Sequence, residues 1–243
     1  AGSGFAPTIS MSGGWLNGAV MIGGNWNVLK GFNIGPVNSG NGVFVYGQRN
    51  VIENCTIKDI HTSEMASGQA GEGVLLAGGK YNIIRNNYLG NAGHASIGLY
   101  DVGSYSGTHY NQILNNTIVN YYGTGICLTR GNSNYNLIEG NDISRTGTLT
   151  NYSGKTGIQI TGSSNNTVRK NVIHDTYYKA LQINCYNSAD GTRAIGNYIY
   201  NNTFFNIGTK SNDPGNMGLY IGVAGGGPYT ITGNKFYNNI IAK

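Results

Sequence analysis

Charged side chains make up only 10% of the 243 residues, so those that fall at matched points of a repeated phrase are the natural candidates for chemistry. The phrase is Gly–apolar–any–apolar, as in Gly73-Val74-Leu75-Leu76, Gly125-Ile126-Cys127-Leu128 and Gly157-Ile158-Gln159-Ile160. Aligning these phrases puts Asp101 and Arg130 at one position, just after the phrase, in adjacent repeats. His94 precedes the phrase in the repeat that holds Tyr100, while Glu72 and Lys179 stand just before it in theirs. A fixed cation that neutralises a carboxylate, beside a base in reach of the neighbouring C–H, is what β-elimination from a uronate or its epimerisation requires. Arg130 with His94 or Tyr100 supplies such a pair, and Asp101 is placed to orient Arg130. The same register suits a structural arrangement in which Asp101 and Arg130 form a cross-repeat ion pair and His94 caps a loop. The spacing leaves both readings open.

The elements that position these residues are short. A second phrase recurs from Asn27, Asn50 (N-V-I-E-N-C-T-I-K-D), Asn82, Asn111 (N-Q-I-L-N-N-T-I-V-N), Asn136, Asn166, Asn197 and Tyr229, at intervals of 23 to 32 residues. It carries apolar residues at +2 and +7, Gly or Asn at +4 and usually Asn at +5. With the glycine phrase, each repeat holds three short strands of period two, each with one buried and one solvated face. No segment keeps helical periodicity over three turns. Three such strands cannot bury their own apolar side chains, but stacking repeats about 4.8 Å apart does so. Asn87, Asn116, Asn141, Asn171, Asn202 and Asn234 fall at the +5 turn, where Asn accepts left-handed angles and its amide reaches the next repeat. Phe32 and Cys55 replace it in the first two repeats, which predicts a buried, inert Cys55 thiol. On the second strand, Glu53 is expected over Arg85 and Glu139 over Arg169.

Composition narrows the class. Low charge would mean disorder if apolar residues were also scarce, but they reach 39% and are regularly spaced. The net charge of +5 reflects few acids rather than a basic run, so nucleic acid is not an expected partner. No stretch is apolar and long enough to span a membrane. Three cysteines, Cys55, Cys127 and Cys185, stand at no metal-like spacing and argue against a disulfide framework. Low charge with abundant Asn, Ser, Thr and Tyr suits an extracellular or cell-surface protein. Of the N-x-S/T triplets, Asn151 in the loop 147–155 is the one placed to accept a glycan.

The repeat phrases resemble those of the pectate-lyase-like superfamily and of NosD-like and alginate epimerase-like repeat proteins. The resemblance implies an all-β, right-handed single-stranded parallel β-helix of about eight coils, with residues 1–243 forming one domain. It also implies a substrate groove over the first strand of each coil. The alignment puts Met21, Phe44, Tyr46, Leu75, Tyr100, Cys127, Thr129, Gln159, Thr161, Gln182, Asn184 and Tyr220 on that outward face. Aromatic rings for sugar faces and amides for hydroxyls make Phe44, Tyr46, Gln159, Gln182, Asn184 and Tyr220, with Glu72 and Lys179, the expected substrate-binding residues. The same composition also fits an ordinary solvated sheet face. No cofactor is expected; calcium enters by the resemblance alone, and the acidic cluster that holds it in pectate lyases is not evident. The paired Asp residues of polygalacturonase-like hydrolases and the D-P-H phrase of alginate epimerases are also absent.

Both ends read as uncapped, as in the middle of a longer chain, and open sheet ends invite end-to-end self-association. Two functions are therefore expected. One is a secreted polysaccharide-binding β-helix, with lyase or epimerase activity on a uronate-type glycan if His94, Tyr100, Asp101 and Arg130 act together. The other is a non-catalytic structural or adhesive surface protein or filament subunit.

Overall fold

The computed structural model describes residues 8–12, 17–61, 71–102, 104–145, 156–186, 191–209, 217–223 and 228–242. These wind through three parallel sheets, and the architecture is the expected right-handed parallel β-helix. The first sheet stacks Gly18–Ile22, Asn41–Val45, Val74–Leu76, Ala95–Leu99, Thr124–Leu128, Thr156–Thr161, Lys179–Cys185 and Met217–Val223 in chain order. The second runs from Val28–Lys30 to Lys235–Tyr237, the third from Thr8–Ser12 to Ile240–Ile241. Eight first-sheet strands give eight coils among the described residues, and none of those residues is helical. Among the described residues no helix is long and apolar enough to cross a membrane.

One apolar residue per short strand points inward and stacks on its equivalent in the next coil. Ile52, Ile84, Ile113, Ile138, Val168 and Ile199 form such a file on the second sheet, all fully buried. At about 25 cal/mol per Å2 of apolar surface, these files are the main stabilising term. Cys55, Cys127 and Cys185 are buried and form no disulfide. Burial pushes the Cys55 thiol up, which keeps it protonated and unreactive as expected.

Asparagine does two jobs at each turn, and they fall on different residues. The residue at +4 takes the left-handed angle, as at Asn54, Asn86, Asn115 and Asn201, with φ of 54°, 55°, 52° and 56°. The residue at +5 forms the ladder. Asn116 Nδ2 donates to Asn141 Oδ1 at 3.0 Å and to the Ile84 carbonyl at 3.0 Å, while its Oδ1 accepts from Asn87. A second ladder, not anticipated, runs through the first residue of the phrase: Asn27, Asn50, Asn82, Asn111, Asn136, Asn166, Asn197 and Asn234. Asn234 therefore belongs to this ladder, and Asn239 closes the +5 ladder below Asn202. The last repeat accordingly starts at Asn234, not Tyr229. Thr230–Thr232 pairs instead with Arg193–Ile195 in a small separate sheet, a local echo of the phrase that shifts the apparent register by five residues.

The expected cross-coil ion pairs form on the second sheet. Arg85 and Lys30 flank Glu53 at 2.6 and 3.0 Å, and Arg169 and Lys170 flank Glu139 at 2.7 and 3.1 Å. Both carboxyls are held below their ordinary range, Glu53 first by its Lys30 hydrogen bond and Glu139 first by that from Arg169.

A buried carboxylate and its histidine on the first sheet

The outward positions of the first sheet line up in one file: Met21, Phe44, Leu75, Gly98, Cys127, Gln159, Gln182 and Tyr220. The N-terminal part of this file is not an open groove. Phe44, Leu75, Ala77, Tyr100 and Val102 form a second buried apolar cluster outside the barrel, with Tyr46 and Tyr105 packed on it. A strap over residues 101–108 covers it, apart from Gly103, which lies outside the described residues. Val102 and Tyr105 exchange backbone hydrogen bonds of 3.0 Å, and Asp101 Oδ1 accepts from the Gly107 N–H at 2.9 Å. Thr108 Oγ1 accepts from the Gly78 N–H at 2.9 Å. The Tyr105 ring meets Phe44 edge-on at 5.7 Å and Tyr46 at 5.0 Å. Phe44 thus has the expected orientation but is buried, because residues 104–108 fold back over it; Tyr46 keeps partial exposure.

Beside this cluster the structure brings together three of the singled-out residues. Glu72 has no exposed side-chain surface, so it is a buried anchor rather than the ligand contact expected of it. Its Oε1 takes a hydrogen bond from the Tyr100 hydroxyl and lies 2.7 Å from His94 Nδ1. Its Oε2 is buried without a hydrogen-bond partner. The His94 side chain is 40% exposed. Burial alone lowers the proton affinity of His94, with Arg130 acting the same way, but the Glu72 hydrogen bond and charge outweigh both and the net shift is upward. Tyr100 is pushed well above the ordinary phenol value, by burial first and then by the charge of Glu72. It therefore stays protonated and cannot act as a base at neutral pH. The room for this cluster comes from Gly98, which sequence reasoning missed: a Cβ there would lie 2.6 Å from Tyr100 Cε1 and 3.0 Å from Glu72 Cγ. The signal was legible, since Gly98 stands where the other glycine phrases carry Leu, Cys or Gln.

Arg130 lies in the next coil with φ of 64°. Its guanidinium carbon is 5.5 Å from the Tyr100 ring centre, and Nη1 donates to the Asp101 carbonyl at 3.1 Å. The Asp101 carboxylate accepts from the Gly107 N–H and from Asn132 Nδ2 at 2.8 Å. Asp101 thus holds Arg130 through its backbone and anchors the strap through its side chain.

The C-terminal part of the file is open and polar. Gln159 Nε2 donates to Thr161 Oγ1 at 2.8 Å, and Thr161 Oγ1 donates to Asn184 Oδ1 at 2.6 Å. Gln182 and Tyr220 are half-buried, and Lys179 Nζ lies 5.0 Å from the Tyr220 ring centre. Asn184 itself is buried, its amide oxygen committed to Thr161. No group of three potential metal ligands occurs among the described residues. Asn151 and residues 62–70, which lie within the long insertion between His61 and Glu72, fall outside them.

Fold and register together define a parallel β-helix with a polar and an apolar stretch on one outward face. The right handed beta helix region description matches residues 17–242, and the chain belongs to that family. No curated protein matches the chain by sequence. Among solved structures, an alginate lyase from Paenibacillus sp. str. FPU-7 is similar with a TM-score of 0.69 and 16% identity, over 100% of this chain and 80% of that one. The Dettilon tailspike protein is similar at 0.55 and 14%, over 89% and 60%. A tailspike of E. coli bacteriophage HK620, in complex with a hexasaccharide, is similar at 0.57 and 13%, over 96% and 39%. The chain spans less than two thirds of either tailspike. At these identities the likeness is one of fold.

Proposed function

We propose that this is an extracellular carbohydrate-active β-helix protein that binds an anionic, uronate-type polysaccharide along its first sheet and transfers a proton at His94, as a lyase or epimerase. The observation that carries this reading is the fully buried Glu72, bonded through one oxygen to a half-exposed histidine and a buried tyrosine. A buried carboxylate costs several kcal/mol of desolvation, and a purely structural ion pair has cheaper solutions, as Glu53 and Glu139 of this same protein show: each carboxylate keeps some solvent contact and is flanked by two more exposed cations.

The roles follow from the contacts. Glu72 fixes the tautomer, holding the Nδ1 proton and leaving Nε2 as the acceptor. In β-elimination Nε2 takes the C5 proton, its electron pair forms the C4–C5 double bond, and the C4 oxygen departs with a proton returned by the imidazolium. Arg130 neutralises the substrate carboxylate, which makes the C5 proton acidic. Tyr100 positions Glu72 and carries Arg130 on its ring face. Gln159, Gln182, Lys179 and Tyr220 hold neighbouring sugars. That a carbohydrate-bound tailspike and an alginate lyase share the fold supports the substrate class.

Ultraviolet-monitored turnover of a panel of uronate polymers tests the reading, since elimination creates an absorbing double bond. Activity that disappears in His94→Ala and Arg130→Ala supports a lyase. Silence across the panel, with no exchange of the C5 proton for solvent deuterium, overturns the catalytic reading. The structural or adhesive reading draws on a different observation, the apolar cluster under the strap, which adds a second packed layer outside the coil stack.

A further inference from the structure

In the turn between the first and second sheets, the residue just before the ladder Asn is left-handed in every coil. In the last three coils these are Asn165, Gly196 and Gly233, residue types that adopt φ near 60° at low cost. In the first five they are Trp26, Arg49, Tyr81, Tyr110 and Tyr135, with φ between 56° and 64°. Bulky side chains are outliers at such angles, and five in register mark a feature retained against backbone strain. The other turn uses Asn54, Asn86, Asn115, Asn201 and Asn238 at its left-handed positions, so the fold has an unstrained solution available.

The five side chains form one exposed column. The Tyr81, Tyr110 and Tyr135 rings stack at 5.1 Å per step, with interplanar angles of 6° and 13°. Arg49 lies between Trp26 and Tyr81, its guanidinium carbon 5.1 and 5.0 Å from the two ring centres. The column is about 20 Å long, one step per coil. Its aromatic members are 44 to 74% exposed and Arg49 is exposed as well, so the column is not a piece of core. Because the ring faces are turned to one another, the solvent meets ring edges, where the quadrupole is positive, together with phenol hydroxyls and one guanidinium. That surface complements a row of anionic oxygens.

We infer that the Trp26–Arg49–Tyr81–Tyr110–Tyr135 column is a second binding strip for an anionic polysaccharide strand, running along the helix axis beside the first-sheet site. The inference rests on the uronate reading above for its ligand. Arg130 and Asp101 lie on the chain between their first-sheet strands and this corner, so a polymer engaged at Arg130 continues onto the strip. The strip adds affinity for long chains and nothing for short ones.

The test replaces Tyr81, Tyr110 and Tyr135 together by Asn, the residue the fold itself uses at Asn165. Calorimetric titration compares polyuronate with a short oligouronate, on wild type and on the triple variant, alongside melting temperatures. The expected result is a roughly ten-fold or greater weakening for polyuronate, unchanged affinity for the oligomer, and a melting temperature within a few degrees of wild type. Equal polyuronate affinity in the two proteins overturns the strip while leaving the His94 reading intact. Wild type that binds no polyuronate overturns both. Should the triple variant fail to fold, Arg49→Gln is read instead: several-fold weaker polyuronate binding supports the strip, and unchanged binding overturns it.

Discussion

The two halves of the first sheet's outward face share a backbone and a register but differ in what covers them. In coils two to four the outward file is Phe44, Leu75 and Gly98, closed over by Tyr100, Val102 and Tyr105. In coils six to eight it is Gln159, Gln182 and Tyr220, open and polar. Glu72, His94 and Arg130 lie at the border, where the apolar lid lowers the local dielectric and strengthens the Glu72–His94 interaction. A stacked fold allows this division because each coil contributes one side chain per position. Changing a few residues converts a solvated face into a second core without disturbing the first.

The largest effect expected is at that border. His94→Ala lowers kcat on a responsive uronate polymer by about 100- to 10,000-fold, the range for loss of a general base, whereas Gln182→Ala in the open half raises KM with little change in kcat; steady-state kinetics on both separates the halves. Next come core-like costs in the closed half. Gly98→Val drives a side chain into Tyr100 and Glu72 and is expected to destabilise by about 1–3 kcal/mol, as overpacking does. Gln159→Val, at the same file position in the open half, changes stability by about 0.5 kcal/mol or less. Urea titration of the two variants reads the difference; equal costs would mean the lid does not close. Smaller again is Tyr105→Ala, which removes a half-buried ring from the strap at a cost of about 1–2 kcal/mol and exposes Phe44, seen as new binding of an apolar dye.

The coil stack was legible because its cause is periodic. Apolar residues at fixed offsets and Asn at each turn report directly on the inward files and the ladder. The register failed only at Tyr229, where Thr230–Thr232 imitates the phrase but pairs with Arg193–Ile195. The Asp101 and Arg130 alignment held for the same periodic reason, since Leu99 pairs with Leu128 two residues earlier. What was not legible was set by the loops. Strap placement over Phe44 depends on the Val102–Tyr105 bridge and the Asp101–Gly107 bond, neither of which repeats in another coil among the described residues. The partner of His94 was hidden likewise. Glu72 belongs to the coil before, and only the space left by Gly98 lets its carboxylate, the phenol and the imidazole meet.

The smallest effect, and the one most specific to the border, is in pH. The Glu72 hydrogen bond and charge outweigh burial and raise His94 in the folded chain, while unfolding returns it to about 6.5. A raised folded value means that the charged pair contributes its full stability below about pH 6.5 and loses it as pH rises through the folded value. Wild type should therefore exceed His94→Gln in melting temperature by the most near pH 5.5, and the gap should narrow on the way to pH 9. The slope will be shallow, because the half-exposed imidazole is partly screened by solvent. A Gln182→Ala control should show a gap that does not change with pH over the same range. A His94→Gln gap that widens with pH would mean that burial outweighs Glu72 and that the folded chain holds the neutral imidazole more tightly than the charged one, against the upward shift argued above.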